Sequence, residues 1–217
     1  MPKQKFAAVY KFFENDEFRA NVLIDKYLLR DKNGNFLEHS VEELRHRVCW
    51  NLSQQTEDPE KWYEKFVEAF GNFDVVPQGS VLSAIGDETY IQSLSNCFVV
   101  ESPHDSITGI FRTGREEASI MRRRGGVGID ISTLRPNGAS VSNAAKTSSG
   151  AVGWMDYFSN VCRSVGQFGR RGALILTISV KYPDAEEFTK IKQDLTKVTG
   201  ANVSIKLTDE FMQAVVD

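Results

Sequence analysis

The sequence predicts an α/β protein in two parts, an N-terminal helical domain over residues 1–72 and an α/β domain over residues 73–217. Three observations carry this. Apolar residues recur at helical spacing through the first seventy residues. Short apolar runs alternate with amphipathic helical stretches from Phe73 onward. Residues 173–180 form a nearly continuous apolar run, the pattern of a parallel strand buried on both faces.

In the first part, Val22-Leu23-Ile24 and Tyr27-Leu28-Leu29 predict one helix, Val41, Leu44, Val48 and Leu52 a second, and Trp62, Tyr63, Phe66, Val67 and Phe70 a third that stops at Gly71-Asn72. Asp31 to Asn35 is a tight-turn signal, and Ser40 with Glu43 forms a capping box for the second helix. The aromatics here are read as core. In the second part, residues 92–100 predict a strand carrying Cys97, and 106–123 a helix with Ile107, Ile110, Phe111, Ala118 and Met121 on its inner side. A strand over 127–131, a helix over 151–165 and the apolar strand over 173–180 follow, then a helix begun at Pro183-Asp184 and a strand over 201–207. Thr208 caps a last helix whose apolar stripe, Phe211, Met212 and Val215, runs to Asp217. Two turns of helix with no strand after them read as the N-terminal piece of a longer protein.

A net charge of −3 and a pI near 5.7 argue against a general nucleic-acid binder, and the basic residues are clustered locally, which suits a small polyanion. No apolar stretch approaches the ~20 residues of a membrane span, and Met1 to Lys5 lack the apolar run of a signal peptide, so a cytoplasmic protein with no membrane partner is expected. Cys49, Cys97 and Cys162 are odd in number and lack metal-ligand spacing, which fits a reduced compartment and no metal site.

Three basic, glycine-rich turns stand out: Arg122 to Gly128, Lys146 to Gly150, and Gly169-Arg170-Arg171-Gly172. Each alone reads as a helix stop with a solvated basic tail; together they read as loops whose bare N–H groups hold a polyanion. Neither a Walker pattern nor a G-x-G-x-x-G helix opening is present, so a kinase, GTPase or simple dinucleotide-binding reading has no motif behind it.

Five ordered motifs are then decisive: Ser93-Leu94-Ser95-Asn96-Cys97-Phe98-Val99, Arg123-Arg124-Gly125-Gly126-Val127-Gly128, Leu134-Arg135-Pro136, Gly169 to Ala173, and Lys192 to Asn202. Together they resemble the catalytic large chain of ribonucleotide reductase, and Val22 to Val48 resembles the helical segment preceding the barrel in its adenosylcobalamin-dependent members. The resemblance implies a ten-stranded α/β barrel of which this chain supplies the helical domain and most of the first half. It implies reduction of ribonucleotides, di- or triphosphates, to 2′-deoxyribonucleotides by radical chemistry. Cys97 aligns with one of two reducing cysteines, and its redox partner is placed beyond residue 217. A lone cysteine here would otherwise read as a small buried apolar group; Cys49 and Cys162 are left in that structural role.

The resemblance further implies substrate contacts at Ser80, Ser95, Asn96, Gly125 and Gly126, with one extra residue in this chain between Ser80 and Cys97. It implies an effector site for a deoxynucleoside triphosphate or ATP at Asp105, Ser106, Arg135 and Lys146, where Asp105-Ser106 also reads as a plain helix N-cap. Two loops, 136–149 and 193–201, set substrate choice in the family, the second with Gln193, Lys197 and Gly200. The implied cofactor is adenosylcobalamin, held mainly outside this chain, or else a separate metal radical subunit. Implied partners are a C-terminal fragment of the same enzyme, a thioredoxin- or glutaredoxin-type reductant, and a second copy of the complete chain in a homodimer. The isolated chain is expected to be inactive. The alternative is a non-catalytic nucleotide-binding or regulatory module that pairs with a reductase subunit.

Overall fold

A computed structural model describes residues 3–165 and 172–217, which form two compact units, up to Asn96 and from Cys97 onward. Gly169 to Arg171 of the third basic turn lie outside the described residues.

The first unit is helical. A 3₁₀ turn at Lys3–Phe6 leads into α1 (Ala7–Phe12), followed by α2 (Glu17–Lys26), α3 (Val41–Ser53), α4 (Pro59–Gly71) and α5 (Gly79–Ala84). Side-chain caps start three of these helices: Asp16 accepts from the Arg19 N–H, Ser40 from Glu43, and Asp58 from Lys61. The capping box is reciprocal, since the Glu43 carboxylate accepts the His39 N–H. Phe6, Val9, Ile24, Leu44, Val48 and Phe70 form the core of this unit. The predicted second and third helices coincide with α3 and α4, while the first ends at Lys26, before Tyr27-Leu28-Leu29. The division between units falls after Asn96, later than the change of pattern at Phe73, because Val81, Leu82 and Ile85 in and beside α5 pack on the helical core.

The second unit is a parallel sheet with helices on it. Its elements are β1 (Cys97–Val99), α6 (Ile107–Met121), β2 (Gly126–Asp130), β3 (Asn137–Ser140), β4 (Thr147–Ser149), α7 (Gly150–Ser164), β5 (Leu174–Ser179), α8 (Ala185–Lys190), β6 (Asn202–Lys206) and α9 (Asp209–Val216). The sheet order is β1-β2-β5-β6, all parallel. Ile129, Ile131, Met155, Phe158, Leu176 and Ile178 make its core. Three expectations are corrected here. The strand over 92–100 shrinks to Cys97–Val99, because the Ser93 hydroxyl closes a turn on Ser95 just upstream. The run over 173–180 alternates in burial, with Leu174, Leu176 and Ile178 inside and Ile175 39% exposed, so one face is covered far better than the other. The segment 136–149 is not a plain loop but contains the antiparallel pair β3 and β4.

Candidate functional site

Cys97 is the first residue of β1 and its side chain is exposed. Its parallel neighbour across the sheet is Gly126 of β2, and Phe98 pairs with Val127. Gly125 is buried under Phe98 and Ile120, where an added Cβ would stand 2.8 Å and 2.6 Å from their side chains. The thiol therefore sits at a strand start whose neighbouring backbone is packed glycine.

The turn entering β2 is not the anion cradle its composition suggests. The N–H groups of Arg122, Arg123, Arg124 and Gly125 donate back to Ala118, Ile120, Met121 and Ile120, closing the end of α6, and Arg124 takes φ +71° to do so. These amides are spent on the helix terminus and are not bare. What Gly125-Gly126 supplies instead is room for β1.

Ser80, Ser95 and Asn96 belong to the first unit. Ser80 is buried on α5, and its hydroxyl donates to the Asn96 Oδ1. The Asn96 amide in turn donates to Gln78, so the residue immediately before Cys97 is oriented by both the start of α5 and its second residue. Ser95 is exposed, its backbone tied to Ser93. Gln78 was not singled out by sequence; only its place two residues before Ser80 could have flagged it.

Asp105, Ser106 and Arg135 are brought together in a cleft of about 320 Å³ between the start of α6, the β3–β4 hairpin and the start of α7. That volume suits part of a small ligand such as a nucleotide. Asp105 accepts from the Arg135 backbone N–H at 3.2 Å and from its guanidinium Nε at 2.8 Å, while Arg135 Nη1 reaches the Ser140 carbonyl at 3.1 Å. Ser106 caps α6, accepting from the Gly109 N–H at 3.0 Å. The cap reading and the cleft-lining reading hold together for this serine. Lys146 is exposed at the hairpin turn between Ala145 and Thr147, which line the cleft; its φ of +63° lets its carbonyl accept the Val141 N–H.

Two residues missed by sequence fix the base of this cleft. The Tyr182 hydroxyl donates to the Leu134 carbonyl at 2.8 Å, and Asp184 accepts the Asn137 N–H at 2.8 Å. Both lie 47 or 48 residues from their partners, beyond any local pattern. Burial pushes the Tyr182 phenol up to about 12, so it stays a donor at any ordinary pH.

Gln193 ends a 3₁₀ turn at Ile191–Gln193, Lys197 lies 4.0 Å from Asp194, and Gly200 packs on α7, where an added Cβ would be 2.4 Å from the Ser159 carbonyl. Cys49 and Cys162 are buried, and desolvation pushes both thiols up, away from thiolate chemistry. Among the described residues no three His, Cys, Asp or Glu side chains gather as a metal site. Among them, too, no helix is long and apolar enough to cross a membrane.

The chain is thus a helical unit followed by a parallel α/β sheet, with an exposed thiol at the start of one strand. Residues 13–90 match the family model "Ribonucleotide reductase, all-alpha domain" and residues 95–217 match "Ribonucleotide reductase, barrel domain". The chain belongs to the ribonucleotide reductase family. It is 31% identical over 200 residues to the vitamin B12-dependent ribonucleoside-diphosphate reductase of Mycobacterium tuberculosis (strain CDC 1551 / Oshkosh), covering 89% of this chain and 28% of that protein. It is 34% identical over 152 residues to the protein of the same name from Thermoplasma acidophilum, 69% of this chain and 19% of the other. It is 27% identical over 183 residues to the ribonucleoside-diphosphate reductase subunit alpha of Helicobacter pylori (strain 26695), 84% of this chain and 23% of the other. The chain thus spans less than a third of the length of these relatives.

Proposed function

We propose that this chain contributes one reducing thiol, part of the substrate pocket and a nucleotide effector cleft to a ribonucleoside-diphosphate reductase. The observation that carries the reading is the exposed Cys97 at the start of β1, set beside Gly126 within the segment that matches the reductase barrel. Removing a ribose 2′ hydroxyl as water requires two electrons and two protons. Cys97 and a second thiol supply both as they become a disulfide: two S–H bonds and the C2′–O bond break, and S–S, C2′–H and water O–H bonds form. The radical that initiates the reaction arises elsewhere, with cobalamin favoured as its source because relatives carry the name vitamin B12-dependent. Ser80, which orients Asn96, is the candidate contact for substrate phosphate, and Ser95, Asn96 and the Gly125-Gly126 backbone are further candidate substrate contacts, each within its own unit.

In the same reading, Asp105, Ser106, Arg135 and Lys146 hold a deoxynucleoside triphosphate or ATP, and residues 193–201 read the consequence. The experiment is Cys97→Ser in a preparation that also contains the remaining barrel. Loss of multiple turnover with retained nucleotide binding supports the reductant role. Near-normal turnover overturns it in favour of a regulatory module, and turnover by the purified 217-residue chain would show that no further segment is needed.

A further inference from the structure

A serine hydroxyl carries one proton, and that of Ser80 points at Asn96, its Oγ donating to Asn96 Oδ1. Asn96 continues the row, its Nδ2 donating to Gln78 Oε1. Gln78 stands at the N-cap of α5, yet its side chain makes no cap bond and turns to Asn96 instead. Gln78 and Ser80 thus clamp Asn96 between them. The polarity of the clamp is set at Asn96, whose amide accepts at one end and donates at the other, and so receives the Ser80 proton only while its N–H faces Gln78.

The two jaws of the clamp are fixed. The Gln78 carbonyl accepts the Leu82 N–H at 3.0 Å, and Ser83 Oγ donates to the Gly79 carbonyl at 2.7 Å. At the other end of α5, Arg47 donates to the carbonyls of Ile85 at 2.5 Å and Leu82 at 3.0 Å. Asn96 lies instead in the irregular stretch before β1. The member free to move is therefore the one bonded in sequence to Cys97.

A serine holds a phosphate by donating its proton to a phosphate oxygen. Ser80 is 6% exposed and its one proton is already engaged, so a phosphate finds a donor here only when Asn96 gives it up. We propose that the Ser80 hydroxyl has two acceptors in turn, Asn96 at rest and a phosphate oxygen of the ribonucleotide when substrate is bound, and that Gln78 is the positioning residue of this exchange. No covalent bond to hydrogen breaks; the hydroxyl rotates. Gln78 keeps Asn96 turned to receive the proton and holds it after the hydrogen bond has moved. Filling the phosphate site thereby loosens, on one side, the residue next to the thiol. The exchange rests on the reading of Ser80 as a phosphate contact; the clamp at rest does not. Because the resting bond competes with the ligand, the site binds phosphate more weakly than a free hydroxyl would.

NMR of the Asn96 side-chain amide in the full 217-residue chain tests the clamp. Its two N–H protons are expected to exchange with water at different rates, the one on Gln78 about threefold to tenfold slower. Gln78→Leu brings the rates together, and Gln78→Glu, which can only accept, keeps them apart. Backbone amides of α3 are the control for folding; if Gln78→Leu loosens them as well, Gln78→Glu and Ser80→Ala decide, the latter moving the Asn96 side-chain resonances with α3 unchanged. Rates that stay apart in Gln78→Leu, or merge in Gln78→Glu, overturn the clamp. CDP is then titrated in. Ser80 and the Asn96 side chain are expected to respond together, and Gln78→Leu to bind CDP about two- to fivefold more tightly than the parent, where loss of a merely structural residue would weaken binding. Equal or weaker binding by Gln78→Leu, or a response at Ser80 that leaves Asn96 unmoved, overturns the exchange. No response at either residue, with the clamp behaving as described, overturns the phosphate reading of Ser80 and leaves the clamp intact.

Discussion

Asp105 holds Arg135 at both ends of the residue, one carboxylate oxygen on its backbone N–H and the other on its guanidinium. Thirty residues apart in sequence, the pair joins the start of α6 to the strand that opens the β3–β4 hairpin. Both side chains are about one-third exposed, so the ion pair adds at most about 1 kcal/mol to stability. Its value lies in aim: a guanidinium already oriented loses little freedom when it meets a phosphate. Arg135→Ala is expected to weaken nucleoside triphosphate binding by about tenfold to a hundredfold while moving the melting temperature by only a few degrees. Asp105→Asn keeps an acceptor for the backbone N–H and should cost less than Arg135→Ala. Calorimetric titration with dATP or dTTP alongside thermal melts checks this; equal affinity for Arg135→Ala and the parent would remove Arg135 from the site.

Glu117 lies on the buried side of α6 with no exposed surface, and among the described residues neither carboxylate oxygen has a hydrogen-bond partner. Burial pushes its carboxyl up to about 8. The groups it faces across the helix pair are Tyr157 and Cys162 of α7, each raised first by its own burial and then by the charge of Glu117. Between its ordinary 4.5 and about 8, the folded chain keeps the proton that the unfolded chain releases. Stability from this group is therefore full below about 4.5, falls as pH rises through that window, and levels off above about 8. Glu117→Gln should flatten the slope, and Glu117→Leu should stabilise the chain by roughly 1–3 kcal/mol at pH 8.5. Denaturant midpoints measured from pH 5 to 9 decide it, and a parent chain whose stability rises with pH in that range contradicts the assignment.

Arg47 and Glu38 form the buried counterpart in the first unit. Arg47 Nε meets Glu38 at 2.6 Å, and its remaining N–H groups reach the carbonyls of Ile85 at 2.5 Å, Leu82 at 3.0 Å and Tyr27 at 3.2 Å. Glu38 also takes the Leu29 N–H at 2.8 Å. Leu82 and Ile85 are the end of α5, the helix that carries Ser80, so this pair seats the segment beside Asn96. Removing one partner leaves a buried charge and several orphaned carbonyls. Arg47→Ala is expected to cost about 3–5 kcal/mol, and the double change Arg47→Met with Glu38→Leu much less than the sum of its parts. A double-mutant cycle in urea is the measurement; additive losses would mean that the pair does not act as a unit.

Legibility in the sequence followed the range of the interaction. Ser40, Asp58 and Ser106 act on amides three residues away, so their helices could be placed from local patterns, although only Ser40 had been marked as a cap in the helical part. Cys97, Asp105 and Arg135 are singled out as candidates by the family resemblance, not by a local signal specific to that chemistry. Tyr182, Asp184 and Asp156 escaped, since each acts across more than forty residues on a backbone group, and a backbone amide leaves no trace in residue identity. The glycines of residues 125–126 were noticed for the wrong physical reason: amides expected to face an anion close a helix, and the missing side chain matters instead for packing.

That packing gives a sharp contrast between two glycines three residues apart. At Gly125 an added methyl would lie 2.6 Å from Ile120 Cγ2 and 2.8–2.9 Å from the Phe98 ring, and Phe98 is bonded in sequence to Cys97. At Gly128 the nearest atom, Ile175 Cγ2, is 3.4 Å away, an ordinary contact that a small shift relieves. Gly125→Ala must push Phe98 outward or strain β1, at about 1–3 kcal/mol, whereas Gly128→Ala should stay within about 1 kcal/mol. Because β1 begins at Cys97, displacement of Phe98 also moves the thiol. Gly125→Ala is expected to change the rate at which a thiol reagent modifies Cys97, with Cys49→Ala and Cys162→Ala in the background so that one thiol reports. Gly128→Ala should leave that rate near the parent value. Equal rates and equal denaturant midpoints for the two variants would show that Gly125 does not seat the strand that carries the cysteine.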